Sequence, residues 1–461
     1  MMKEKISRRS FLKLFGAGAV GTAAVLTGCK DKVSQEAADE YKNQVEPPLG
    51  KMTYRENPRT GEKVSLLGYG MMRLPTKVDN SDEFDQEMIN RQVDYALEHG
   101  VNYFDTSPVY CQGKSERCTG IALSRHKRSD YLVATKLSNF NRDYWAREKA
   151  IEMYRNSMKE LQVDYLDYYL LHAVGGSMEE FNGRYVDNGI MDFLQAERKA
   201  GRIRNLGFSF HGQKSVFDEM MARQDEYQWD FVQIELNYLD WNFADEINDR
   251  NVDASYLYAE LEKRGIPAVI MEPLLGGRLA NLPDPLLRRL KTLRPDDSAA
   301  SWSFRFLGSY PGVMCCLSGM VYLEHLQDNL KTFSPMVPVG EEEMAMLEEI
   351  ATILLEYPQV NCTNCQYCMP CPYGVDIPGV FAHYNKCITE GYVATDSQSP
   401  TYRKARRAFL VGYDRSVPRL RQAAHCIGCK QCLPHCPQSI QIPKELRRID
   451  RYVEKLKQST L

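Results

Sequence analysis

From Val64 onward the chain alternates short apolar runs with longer amphipathic stretches. The runs are VSLLGYG, VNYFDTS, YLVATKL, YLDYYLLH, IRNLGFSF, FVQIELN, IPAVIMEP and GVMCCLSG, and between them lie segments such as RQVDYALEHG, AREKAIEMYRNSMKELQV and MDFLQAERKAGR. The runs read as strands and the intervening segments as helices, an order that implies parallel strands joined by crossover helices. Eight such strands close a (β/α)8 barrel, so the predicted fold is an α/β TIM barrel over residues 52–340. After the helical pattern EEEMAMLEEIATILLE the composition shifts to Cys, Pro and Gly, which predicts a second, small and mostly helical domain over 341–461.

Composition adds only limits. With 58 basic and 61 acidic residues and 43% hydrophobic content, the 461-residue chain is near neutral and has ample material for a core, and nothing points to nucleic acid. The amino terminus is more specific. Ser-Arg-Arg-x-Phe-Leu-Lys at 7–13 precedes a Gly- and Ala-rich stretch too short to span a bilayer. This order resembles a twin-arginine export signal over 1–29, and LTGC at 26–29 resembles a lipobox that would make Cys29 a lipidated first residue. Residues 30–51 read as a polar tether. The expectation is a membrane-anchored lipoprotein facing the periplasm; export without lipidation and a cytoplasmic chain are the alternatives.

In a barrel of this kind chemistry gathers where strands end. The second run ends at Asp105 with Tyr110 in the loop beyond it, the third at Lys136, the fourth at His172. Singly, each has a bland reading as a cap, a solvated charge or a structural histidine. Four titratable side chains arriving from three successive strand ends are harder to dismiss.

FDTSPVYCQGKSE, ATKL and LLHAV resemble the catalytic segments of the aldo-keto reductase family over about residues 60–335. That resemblance implies Tyr110 as proton donor to a substrate carbonyl, Lys136 lowering its pKa, Asp105 holding the lysine and His172 orienting the carbonyl. An adjacent ammonium does favour a phenolate, whose ordinary pKa is near 10. The resemblance also implies NAD(P)H, with Ser209 and Gln233 on the nicotinamide, Gly276, Gly277 and Arg278 on the phosphates, and Asp328 and Asn329 on the adenine side. Four positions depart from the family pattern. Phe210 stands for an asparagine, Met271 for a stacking aromatic, and Gly319 and His325 for the cations that clamp a 2′-phosphate, so NADP preference does not follow.

Cys426, Cys429, Cys432 and Cys436 before Pro437 follow C-x2-C-x2-C-x3-C-P, the bacterial ferredoxin run for a [4Fe–4S] cluster. Cys362, Cys365, Cys368 and Cys371 before Pro372 are one residue shorter at the last step. In such runs the cysteine next to proline reaches the other cluster. Two clusters are therefore expected, one on Cys362, Cys365, Cys368 and Cys436, the other on Cys426, Cys429, Cys432 and Cys371; zinc is the rival metal. The helical insert between the arrays resembles a helical ferredoxin module, and the tail resembles that of iron–sulfur members of the same reductase family. The expectation is an oxidoreductase acting on a carbonyl or alcohol at the barrel rim, coupled through the clusters to a redox partner protein. Free nicotinamide cofactor is scarce outside the cytoplasm, so two alternatives stand beside it: a redox enzyme with another retained cofactor, and a non-enzymatic, membrane-tethered electron-transfer or sensor protein.

Overall fold

The computed structural model describes residues 46–78, 83–248 and 250–461, and Pro48–Leu461 forms one compact unit. The export signal, Cys29 and the tether up to residue 45 lie outside the described residues. A closed barrel of eight parallel strands runs in the order β3 (Leu67–Gly70), β4 (Tyr103–Asp105), β5 (Leu132–Leu137), β6 (Leu166–Val174), β7 (Ile203–Phe210), β8 (Phe231–Glu235), β9 (Ala268–Met271) and β10 (Val313–Ser318). Cys316–Ser318 of β10 pairs with Leu67–Tyr69 of β3 and closes the ring. Each predicted run supplies one of these strands, with one difference. VSLLGYG splits: Lys63–Ser65 (β2) turns out to pair antiparallel with Tyr54–Glu56 (β1), and only Leu67–Gly70 enters the barrel.

Two layers of apolar contact follow from this arrangement. Tyr103, Leu132, Tyr168, Leu170, Phe231, Val269 and Met314 fill the barrel interior together with Val64 of the hairpin. A larger core, including Val93, Phe104, Tyr169, Phe208, Leu257 and Trp302, packs strands against the surrounding helices. Side chains alternate across a strand, so neighbouring residues feed the two layers in turn.

The helix Glu341–Leu355 differs from expectation. Its Leu347, Ile350, Ala351 and Leu354 are buried in the barrel's core, so the change of core falls near residues 356–360 and not at 340. From Val360 a second core forms, in which the helices Ile377–Thr389, Tyr402–Ser416 and Ile442–Gln458 bury Phe381, Phe409, Ile449 and Val453.

Candidate functional site

The four strand-end residues converge. Asp105 closes β4, and its Oδ1 accepts a hydrogen bond of 2.6 Å from Lys136 Nζ, which also donates to the Thr106 carbonyl at 2.9 Å. Both side chains are almost fully buried. Burial pushes the Asp105 carboxyl up and the Lys136 ammonium down, and each opposes the shift of the other. Lys136 Nζ lies 4.7 Å from the centre of the Tyr110 ring. Tyr110 opens a tight turn in which Cys111 and Gln112 have φ of 51° and 56°. That turn folds the phenol back over the β4 and β5 ends. Cys111 itself is inert, its thiol pushed up to about 12 by burial.

His172 presents its ring edge-on to Tyr110 at 5.9 Å between centroids. Its Nδ1 lies 2.6 Å from Ser138 Oγ and 3.4 Å from Ser107 Oγ, and Arg184 donates to its carbonyl at 2.6 Å. Burial, and then Lys136, His211 and Arg184, hold the imidazole well below its ordinary pKa, so it is neutral. In the tautomer where Ser138 donates to Nδ1, Nε2 carries the proton and can donate to a substrate oxygen.

One expectation about Tyr110 is reversed. Its pKa stands well above the ordinary phenol value, raised by burial first, then by Tyr367 and Asp105. Lys136 is spent on Asp105 and Thr106. Tyr110 is hydrogen-bonded to Tyr367, which lies between Cys365 and Cys368 in the first cysteine array. Sequence reasoning missed Tyr367, although the spacing of thiols alone gives no reason for a tyrosine there. It also missed Ser107 and Ser138, which become visible as a pair only when β4 and β5 stand side by side.

Most of the proposed cofactor residues make hydrogen bonds within the protein. Ser209 Oγ accepts from the Ala173 amide at 2.8 Å. Gln233 Nε2 lies 3.5 Å from Asp105 Oδ2, and its buried Oε1 has no partner. Asp328 accepts from Ser298 Oγ at 2.6 Å, and Asn329 donates to Ser318 Oγ at 3.0 Å, both within the protein. After β9, the Gly276 amide donates to Glu272 Oε2 at 2.7 Å and the Gly277 amide to the Leu274 carbonyl at 2.9 Å. Arg278 donates to Asn361 Oδ1 at 3.1 Å and to the Leu354 carbonyl at 3.0 Å. A Cβ on Gly276, whose φ is +66°, would stand 2.4 Å from Thr363 Cα. The residues expected to hold a dinucleotide therefore do not fit one. Most of their donors are used internally, the glycine's space is taken by the first cysteine loop, and the half-buried Glu272 carboxylate accepts from the Gly276 amide. Gln233 Oε1 and Arg278 Nε are the buried polar atoms of this set without a partner.

The cysteines do fit iron and sulfur. Cys362, Cys365, Cys368 and Cys436 line one cavity with Ile377 and Phe381. Cys432 has Cys426, Cys429 and Cys371 as neighbours. Four of the five two-residue gaps hold one left-handed residue, Asn364, Gln366, Gly428 and Lys430, with φ of 55°, 65°, 77° and 64°; the Met369-Pro370 gap holds none. Such a residue curls the chain, so that successive thiols and backbone N–H groups face a common centre. Burial pushes the Cys362 thiol up to about 11 and that of Cys365 up to about 12, so cations must be present to hold them as thiolates. Among the described residues, no three His, Cys, Asp or Glu side chains gather as a single metal ion requires; the thiols ring a space.

The module is bound to the barrel's rim at several points. Arg73 donates to the Thr363 carbonyl, Asn361 to the Ile247 carbonyl at 2.8 Å, Asn248 to the Pro437 carbonyl at 3.1 Å and Gln438 to Glu235 Oε1 at 3.0 Å. Both cysteine arrays thus touch the rim, beside the Asp105–Lys136–Tyr110 set.

Residues 66–352 match the aldo/keto reductase family, and residues 361–442 match the 4Fe-4S dicluster domain. The chain belongs to the aldo/keto reductase family and carries an iron–sulfur domain at its carboxyl end. It is 26% identical over 313 residues to the uncharacterized oxidoreductase YqkF of Bacillus subtilis, covering 62% of this chain and 92% of that protein. To L-galactose dehydrogenase of Arabidopsis thaliana it is 30% identical over 165 residues, 35% of this chain and 49% of that one, so the match spans about half of that relative. Its fold is that of aldo-keto reductase AKR11C1 from Bacillus halodurans in its holo form, with a TM-score of 0.52 at 23% identity, covering 65% of this chain and 96% of the other. The protein is an oxidoreductase of aldo-keto reductase type.

Proposed function

We propose that the protein interconverts a carbonyl and its alcohol at the barrel rim, with Tyr110 as the acid and base, coupled to electron transfer through two [4Fe–4S] clusters. The observation that carries this is the buried Asp105–Lys136 pair beneath Tyr110 with a neutral His172 beside it. A scaffold or a purely electron-carrying protein has no use for a buried ion pair, which costs several kcal/mol per ion in desolvation before the attraction is counted.

In the reducing direction, His172 Nε2–H hydrogen-bonds the carbonyl oxygen and Tyr110 O–H gives that oxygen its proton. The high pKa of Tyr110 keeps the proton available across neutral pH. Lys136, fixed by Asp105, places positive charge beside the phenolate that forms. Bound in the two thiol sets, clusters would supply electrons singly; each carbonyl reduced takes two electrons from the redox partner and two protons, one to oxygen from Tyr110 and one to carbon from solvent, which also returns the proton to Tyr110. Cys429 is exposed whereas Cys362, Cys365 and Cys368 are not, which supports the second set as the side facing a redox partner protein. The twin-arginine-like start supports export after cluster insertion, and LTGC supports anchoring through Cys29; mass analysis of the mature amino terminus tests both.

The experiment is anaerobic purification without the leader, assay of iron and sulfide, and turnover of simple aldehydes such as glyceraldehyde and benzaldehyde with reduced methyl viologen as donor. Turnover that Tyr110→Phe abolishes, at unchanged iron content, is the expected result. Equal turnover in Tyr110→Phe removes Tyr110 from its role, and zinc in place of iron removes the clusters.

A further inference from the structure

The loop after β9 presents every feature of an anion cradle except the vacancy. Its Gly276 amide is taken by Glu272 Oε2, its Arg278 guanidinium by Asn361 and Leu354, and its open side by the backbone of Thr363. A pyrophosphate entering there would meet the half-buried Glu272 carboxylate, and Arg73 is already engaged by the Thr363 carbonyl. On the far side of the same loop, four residues along, Tyr367 reaches Tyr110. One continuous segment, Asn361–Tyr367, therefore covers both the phosphate side and the reacting side of the rim. It is held from the other array as well, where Gln438 bonds Glu235 at the end of β8.

We propose that the first cysteine loop is the resident occupant of the barrel's dinucleotide cradle, so that the holoprotein takes up neither NADH nor NADPH at this rim. Tyr367 thereby becomes a positioning residue for the Tyr110 side chain. The two claims fit together physically. A loop that fills the cradle brings its own phenol into hydrogen-bonding contact with the catalytic tyrosine. Aldo-keto reductase chemistry at Tyr110 is retained, while electron supply is moved to the domain that closes the site. The second claim rests on the acid–base role proposed for Tyr110, whereas the first does not.

The test titrates anaerobic, iron-replete protein with NADPH and with NADH, following heat and nicotinamide fluorescence. Absence of saturable binding to the full chain is expected; saturable binding of either dinucleotide in the micromolar range overturns the proposal. This measurement needs no turnover, so it stands even if Tyr110→Phe shows that Tyr110 is not the acid. Alongside it, the pH profile of viologen-linked aldehyde turnover is recorded for Tyr367→Phe with iron determined per chain. Loss of the phenol hydrogen-bonded to Tyr110 is expected to move the alkaline limb at unchanged iron. An unmoved limb overturns the positioning role.

Discussion

The barrel and the dicluster module are stabilised in different ways. In the barrel, fully buried aliphatic and aromatic side chains form continuous layers inside and outside the sheet, and its one charged pair at the site is sealed between strands. The module has a smaller core of three helices, with Cys362, Cys368, Cys371, Cys426, Cys432 and Cys436 packed against its edge and a cavity where the thiols meet. A region of that size rarely supplies enough apolar burial by itself, and metal–thiolate bonds take up the difference. The barrel should therefore keep its fold when iron is lost, whereas the module should not. The seam between them is polar, built from Arg73, Asn248, Asn361 and Gln438, so it orients the two parts more than it glues them.

The largest effect expected is chemical. Tyr110→Phe should lower carbonyl turnover by about 10²–10⁴-fold, the range for loss of a general acid, with iron content and melting of the module unchanged. Next comes the crossing of ligands. Cys436→Ala should remove the cluster shared with Cys362, Cys365 and Cys368 and leave the other, seen as loss of about half the iron and of one electron paramagnetic resonance signal. Loss of the other signal would assign Cys436 to its own array.

At the seam, Gly276→Ala forces a side chain into the left-handed region and onto Thr363, which predicts about 1–3 kcal/mol of destabilisation read by urea melting and earlier proteolysis near residue 360. If Thr363 were not seated there, only the backbone part of that cost would appear. Gln438→Ala should cost about 1 kcal/mol, the net worth of one hydrogen bond.

The smallest effect is at the junction helix. Burial alone would raise the Glu343 carboxyl, but Arg305, Arg294 and the Gly340 amide hold it down to about 2. Its stabilisation is thus complete above the ordinary carboxylate value of 4.5 and is lost as pH falls from there toward 2. Glu343→Gln should lower the melting temperature slightly at neutral pH and not at all near pH 2.

Much of this was legible because the signals are local. A parallel strand announces itself as a short apolar run, and C-x2-C spacing is a statement about how far a loop must reach. The split of VSLLGYG into β2 and β3 was not legible, since both halves are equally apolar and only the pairing with Tyr54–Glu56 separates them. Nor was the allegiance of Glu341–Leu355, whose apolar stripe fits either neighbour and is decided by which one it meets.

The site divides along the same line. Residue types at strand ends determined that Asp105, Tyr110, Lys136 and His172 would share a rim, because the barrel's geometry sends every strand end to one face. Cysteine spacing led to the expectation of two crossed thiol sets. What only the tertiary structure decided is where the second domain sits. Docked on that rim, it fills the space behind Gly276, engages Arg278 and sets Tyr367 against Tyr110. These are contacts between segments roughly 90 to 260 positions apart, and no pattern within either segment carries them, because side-chain periodicity records which face is buried and not what buries it.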